Sequence, residues 1–218
     1  MMPLLRNRAD AGQQLATQLT HYVNQSNVLV IALPRGGVPV AFEIAKELNA
    51  PSDICLVRKL GVPGMSELAM GAITSDGVIL LNDEVVSELD ISPQIIEQVA
   101  TNEMRELYRQ AYLYQGDRPP SRIHDHILIL VDDGIATATT IRAAIVMLQK
   151  QQPCQIVVAA PVIEAGTYET LKTEVEEVVF LINPQPLYSI GFWYEDFSQT
   201  SDEELKKLLA IKYRSKYR

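Results

Sequence analysis

Short, wholly apolar runs of strand length, each followed by a helical pattern, narrow most what this chain can fold into. Val28-Leu29-Val30-Ile31-Ala32-Leu33 is the first, 127–131 and 156–160 repeat it, and shorter strands are expected at 53–57 and 177–182. A strand without polar alternation is buried on both faces, and strands alternating with helices build a parallel sheet with helices on either side. The helices fall at 38–48, 140–149 and 164–172. Asp10, with Gln13 three residues on, reads as the cap of an N-terminal helix whose apolar stripe is Leu15, Leu19, Tyr22 and Val23. Ser92-Pro93 opens a long amphipathic helix with Ile96, Ala100, Met104, Leu107, Ala111 and Tyr114 at gaps of three and four. Ser201-Asp202-Glu203-Glu204 reads as a capping box before a last helix and a basic tail. Between them, 59–66 reads as a Gly/Pro-containing loop. The stretches 69–74 and 78–81 read as a hairpin around Ser75-Asp76-Gly77.

Charge and composition remove several classes of function. With 19 basic and 27 acidic residues the net charge is −8, so bulk electrostatic binding of nucleic acid is disfavoured. No apolar run approaches the roughly 18 residues of a membrane helix, and the first residues lack the apolar stretch of a secretory signal. Cys55 and Cys154 lie inside or beside apolar runs and read as core fillers in a reducing compartment. A cytoplasmic protein without membrane contact is expected.

The segment from Ile127 to Thr140 carries the chemistry. A buried strand runs into Asp132 and Asp133, then into small and hydroxyl residues, Gly134-Ile135-Ala136-Thr137-Ala138-Thr139-Thr140, and then into a helix. Small side chains let backbone N–H groups approach an anion, and the helix N-terminus and the threonine hydroxyls add donors, which makes a monophosphate pocket. The two carboxylates would repel that phosphate and must face something else: sugar hydroxyls, a Mg²⁺ shell or a developing cation.

This segment resembles the phosphoribosyl-pyrophosphate (PRPP) motif of type I phosphoribosyltransferases. Pro34-Arg35-Gly36-Gly37 resembles the family's pyrophosphate loop, Arg58-Lys59 stands at the place of its mobile catalytic lid, and Leu187 to Phe192 is similar to its base-holding hood. The resemblance implies one α/β domain over 1–218. It would have a Rossmann-like parallel-sheet core at about 28–182, a helical insertion at about 83–116 and a C-terminal hood at about 183–200. It implies Mg²⁺-dependent transfer of the 5-phosphoribosyl group from PRPP to a nitrogenous base, with release of pyrophosphate, as in nucleotide salvage. Asp132 and Asp133 would contact the ribose hydroxyls, and the metal only indirectly, through those hydroxyls or water. Ala136, Thr137, Ala138, Thr139 and Thr140 would cradle the 5′-phosphate. Arg35, Gly36 and Gly37 would bind pyrophosphate, with an unusual peptide geometry before the glycines, and Arg58 and Lys59 would steady the leaving group. Tyr188 or Phe192 would stack on the base. Two positions depart from the pattern. Ala138 replaces a common glycine, and Ala136 stands where 6-oxopurine enzymes carry an aspartate, which argues against hypoxanthine or guanine.

Plainer readings stand beside these. The acids could form a polar turn, Lys59 could pair with Glu67 across its loop, and the aromatics could pack locally. His124 and His126 flank Asp125, but no third ligand lies nearby, so a metal site there is disfavoured. The sequence leaves open whether the long helix at 93–116 covers the sheet or forms a homodimer surface. A non-catalytic sensor of PRPP or a nucleotide on the same fold is the competing function.

Overall fold

A computed structural model of the chain describes residues 5–116 and 121–215. The side chains of 66, 67 and 212–215 lie outside that description. The expected Lys59–Glu67 pair and most of the basic tail therefore lie outside the described residues.

The chain divides into two compact units. The first holds a five-stranded, all-parallel sheet in the order β2-β1-β6-β7-β8. Its strands are β1 (Val28–Ala32), β2 (Ser52–Ile54), β6 (Ile127–Val131), β7 (Gln155–Ala159) and β8 (Glu177–Val179). Helices flank the sheet: α1 (Arg8–Ala16) packs on α2 (Gly37–Glu47), α2 covers β1, β2 and β6, and α7 (Asp202–Ser215) packs on α2 and β2. The helix α6 (Ala165–Leu171) connects β7 to β8. β1 is buried at every residue, and β6 and β7 at all but the first, as their unbroken Val/Ile/Leu runs require.

The second unit is a three-stranded antiparallel sheet in the order β3-β4-β5, with helices α3, α4 and α5. The strands are β3 (Val57–Val62), β4 (Met65–Thr74) and β5 (Ile79–Leu81). α3 (Asp83–Glu88) packs on β4, while α4 (Pro93–Tyr114) packs on β3 and β4. α5 (Thr139–Gln149) packs on all three strands.

Five expectations are corrected. The stretch 53–57 is not one strand: β2 stops at Ile54 and a new strand begins at Val57. The stretch 59–66 is not a loop: Leu60 and Val62 turn inward from β3, and Pro63-Gly64 closes a hairpin, with Gly64 at φ +80. Proline followed by a left-handed glycine is the signature of a type II turn. The first helix is capped one turn earlier, by Asn7 accepting the Asp10 N–H at 2.9 Å, while Asp10 accepts the N–H of Arg6. Cys55 is buried, but Cys154 is exposed. The last strand ends at Val179 rather than 182. No described helix is long and apolar enough to cross a membrane.

Candidate active site

The order of the parallel sheet reverses at β1 and β6. The chain crosses from β1 to β2 on one side and later returns to β6 on the other, and ligands of open α/β sheets sit outside the strand ends at such a reversal. β1 and β6 are in register, with Ala32 opposite Val131, and the Leu33 N–H donates to the Val131 carbonyl at 2.8 Å. The loops at 34–37 and from 132 onward therefore leave the same edge side by side.

The first loop presses its backbone against the second. A β-carbon on Gly36 would overlap the carboxylate of Asp133, and one on Gly37 would lie 2.6 Å from the Val131 carbonyl oxygen. Only glycine permits this approach. The Pro34–Arg35 peptide bond is cis. Arg35 lies 3.6 Å from Asp202, both partly exposed, a pair of little energetic weight.

The two acids differ sharply. Asp133 Oδ2 accepts the Arg8 Nε–H at 2.7 Å, with side chains only 16% and 12% exposed. Arg8 Nη1 also donates to the Ser198 carbonyl at 2.6 Å, and its guanidinium lies 4.0 Å from the Phe197 ring centroid. The Tyr194 hydroxyl donates to the Asp133 carbonyl at 2.6 Å. Burial pushes the Tyr194 hydroxyl well above its ordinary range, so it stays a donor. Asp132 accepts the Asp133 N–H at 2.8 Å. Burial first, and the neighbouring Asp133 charge second, raise the Asp132 carboxyl well above the usual carboxylate range. Asp133 is thus anchored, as a structural acid would be, whereas the Asp132 carboxyl is biased toward its protonated form.

Beyond the acids the loop is held by Ile135 N–H on the Val162 carbonyl, 2.8 Å, and by Thr167 Oγ1–H on the Ala136 carbonyl, 3.0 Å. From Ala136 to Ile141 no backbone N–H has a backbone acceptor among the described residues. Five helices begin at a side-chain cap, from Asn7, Asn82, Ser92, Glu164 and Ser201. α2 and α5, which follow the two loops, have none among the described residues. The first N–H groups of α5 and its positive dipole end are left for an anion, whereas in α2 the Gly37 and Val38 N–H groups already donate to the Leu33 and Arg35 carbonyls. Ala138 lies at φ −75, a helical value at which alanine stands without strain where the resemblance had glycine.

Tyr188 and Phe192 are 79% and 59% exposed, with ring centroids 5.9 Å apart. Trp193 beside them is buried with Leu5, Ala11, Val162 and Tyr194, and its Nε1 has no hydrogen-bond partner among the described residues. Leu5 bonds to this segment through its own N–H and carbonyl. In the second unit, Arg58 and Lys59 stand on β3 rather than in a loop. Arg58 Nε donates to Glu103 Oε2 at 2.6 Å, beside a cleft of about 800 Å³ lined by Lys59, Pro63, Gly64, Gln98 and Asn102. Among the described residues, no three His, Cys, Asp or Glu side chains are grouped to hold a metal; His124 pairs with Asp125 at 2.8 Å.

Arg8 and Tyr194 were not singled out in the sequence. Arg8 reaches Asp133 across 125 positions, a separation that local patterning does not encode.

The phosphoribosyl transferase domain family model matches residues 4–185, and the chain belongs to that family. A Mycobacterium tuberculosis protein provisionally described as a phosphoribosyl transferase is 40% identical over 213 residues, 98% of this chain and 48% of its own length. The chain thus spans about half the length of the curated relatives it matches. The crystal structure of the TT1426 protein from Thermus thermophilus superposes with a TM-score of 0.79 at 34% identity, covering 95% of this chain and 98% of that one. That of the AQ2163 protein from Aquifex aeolicus gives 0.50 at 8% identity, over 81% and 74% of the two chains, a likeness of fold.

Proposed function

We propose that this chain transfers the 5-phosphoribosyl group of PRPP to a nitrogenous base in the cytoplasm, releasing pyrophosphate. The observation that carries the reading is the contact of the Gly36 backbone with the Asp133 carboxylate, which joins the pyrophosphate-type loop to the acid pair at the sheet's reversal. The open N–H groups of 136–141 suit the 5′-phosphate, and the loop at 35–37 suits the leaving pyrophosphate. Asp132 would accept from the ribose hydroxyls and, once ionised, would favour the positive character that C1′ acquires as the bond to pyrophosphate breaks. The base nitrogen then forms its bond to C1′ from the opposite face. The resemblance assigns Arg58 and Lys59 to the leaving group's charge, and the exposed rings of Tyr188 and Phe192 offer faces for a base.

The oxygen donors at the site suit a hard cation, but Asp133 is already engaged by Arg8, and one carboxylate is too few for a resident metal. The fit is to Mg²⁺ that arrives with PRPP, near Asp132 and held through ribose hydroxyls or water. Bound there, Mg²⁺ supplies neutralising charge to the departing pyrophosphate.

The test is pyrophosphate release with PRPP, Mg²⁺ and a panel of purine and pyrimidine bases. Release with at least one base, lowered roughly 10²-fold or more in Asp132→Asn, is expected, a loss typical of one electrostatic catalytic group. PRPP binding by calorimetry without release for any base would favour the sensor reading. No binding would remove both.

A further inference from the structure

α4 is a 22-residue helix with only Ala100, Leu107 and Tyr114 buried. Beside it, over β4 and β5, runs an apolar groove of about 660 Å³ whose walls include Ile73, Ile79, Leu81, Pro93, Ala100 and Met104. Tyr108 stands at one end of that groove, 63% exposed. A groove walled mostly by apolar side chains, with a large exposed aromatic beside it, is a surface suited to a partner.

We infer that this groove is the interface of a homodimer in which two α4 helices pack antiparallel about a two-fold axis near Ala100 and Thr101. The argument is one of self-complementarity. Among the described residues, the charged side chains lining the groove are Glu97 and Arg105, of opposite sign. Both are exposed, and they lie eight residues apart, about 12 Å along the helix axis. Their midpoint is Thr101. A two-fold axis there sets Glu97 of one copy level with Arg105 of the other, twice over, as an isologous interface requires. The same axis carries Tyr108 of each copy over the Pro93 end of the other's groove, so the protruding ring fills the apolar space. At the crossing point stand Ala100 and Thr101, both small enough for the helices to approach closely. This inference does not depend on the reaction proposed above.

The test is sedimentation velocity of the full chain, with charge reversals. The wild type is expected at twice the 24.3 kDa chain mass. Glu97→Arg and Arg105→Glu, each setting like charges face to face, are expected to weaken the dimer at least tenfold, and the double reversal to restore it. Thr101→Cys in a Cys154→Ser background, which removes the exposed native thiol, is expected to form a disulfide-linked dimer under mild oxidation. A wild type that stays monomeric at 100 µM overturns the inference. So does a dimer indifferent to both reversals, or a double variant no better than the singles. Pyrophosphate release, followed in parallel, reports separately on the active-site reading.

Discussion

Asp132 and Asp133 share a strand end but not an environment, and their substitution should move stability in opposite directions. The folded protein holds the Asp132 proton more tightly than the unfolded chain does. By linkage, stability is then lost as pH rises from the ordinary carboxylate range through the raised value. Asp132→Asn removes that loss. It is expected to raise the melting temperature at neutral pH, by an amount that grows from pH 5 to pH 8, while lowering turnover. A constant difference across that window would show that the carboxyl is not destabilised in the fold. Asp133 behaves the other way, because it completes an almost buried ion pair with Arg8. Arg8→Ala leaves its carboxylate without that partner and should cost about 3 kcal/mol in urea unfolding, the lower end for breaking a buried pair. Arg8→Lys cannot keep both the Asp133 and Ser198 contacts, so it should recover only part of that. Full recovery would mean that charge alone, without the guanidinium geometry, anchors the acid.

Elements with a one-sided or wholly buried pattern were legible in the sequence, and those with mixed patterns were not. β1, β6 and β7 were plain because nothing but a doubly covered strand tolerates four or five consecutive apolar residues there. β3 was obscured because Arg58, Lys59 and Gly61 interrupt its apolar positions, and an antiparallel strand with one partly open face permits that. Pro63-Gly64 between Val62 and Met65 was the signal that could have found it. Caps were readable when hydroxyl and proline coincided, as at Ser92-Pro93, but Asn7 hid behind the more acidic Asp10. Glu164 is a cap of another kind, accepting the Thr167 N–H at 2.7 Å at the start of α6. Backbone N–H groups of Gly166 and Thr167 hold its carboxyl below the ordinary glutamate range. Its contribution is therefore complete at neutral pH and is lost as pH falls through that lowered value. Glu164→Ala should cost about 1 kcal/mol at pH 7, in line with other cap removals, and the difference from wild type should close under acid conditions. A gap that persists once Glu164 is protonated would assign the effect to packing rather than to the cap.

At the scale of the whole molecule, the site was half legible for a reason of topology. The motifs at 34–37 and 132–140 could be read because each is continuous in sequence. Their meeting depends on which strands become neighbours, and the Arg8 and Tyr194 contacts join segments 125 and 61 positions away from Asp133. The same distinction between local and global governs how a chain of net charge −8 would hold a polyanion. The long-range field opposes binding, so affinity must come from short-range donors: the unaccepted N–H groups of 136–141 and those of Arg35 and Gly36. Salt screens the long-range part beyond a Debye length of about 8 Å at physiological strength but leaves close hydrogen bonds largely intact. Pyrophosphate affinity measured by calorimetry should therefore change less than about tenfold between 50 and 200 mM salt. A protein neutralising six to ten phosphates with surface cations loses about 10³–10⁵ over that range. Gly36→Ala, which drives a methyl group into the Asp133 carboxylate, should abolish the binding at either salt concentration. A steep salt dependence, or pyrophosphate binding unchanged in that variant, would place the anion on surface lysines and arginines and away from the reversal of the sheet.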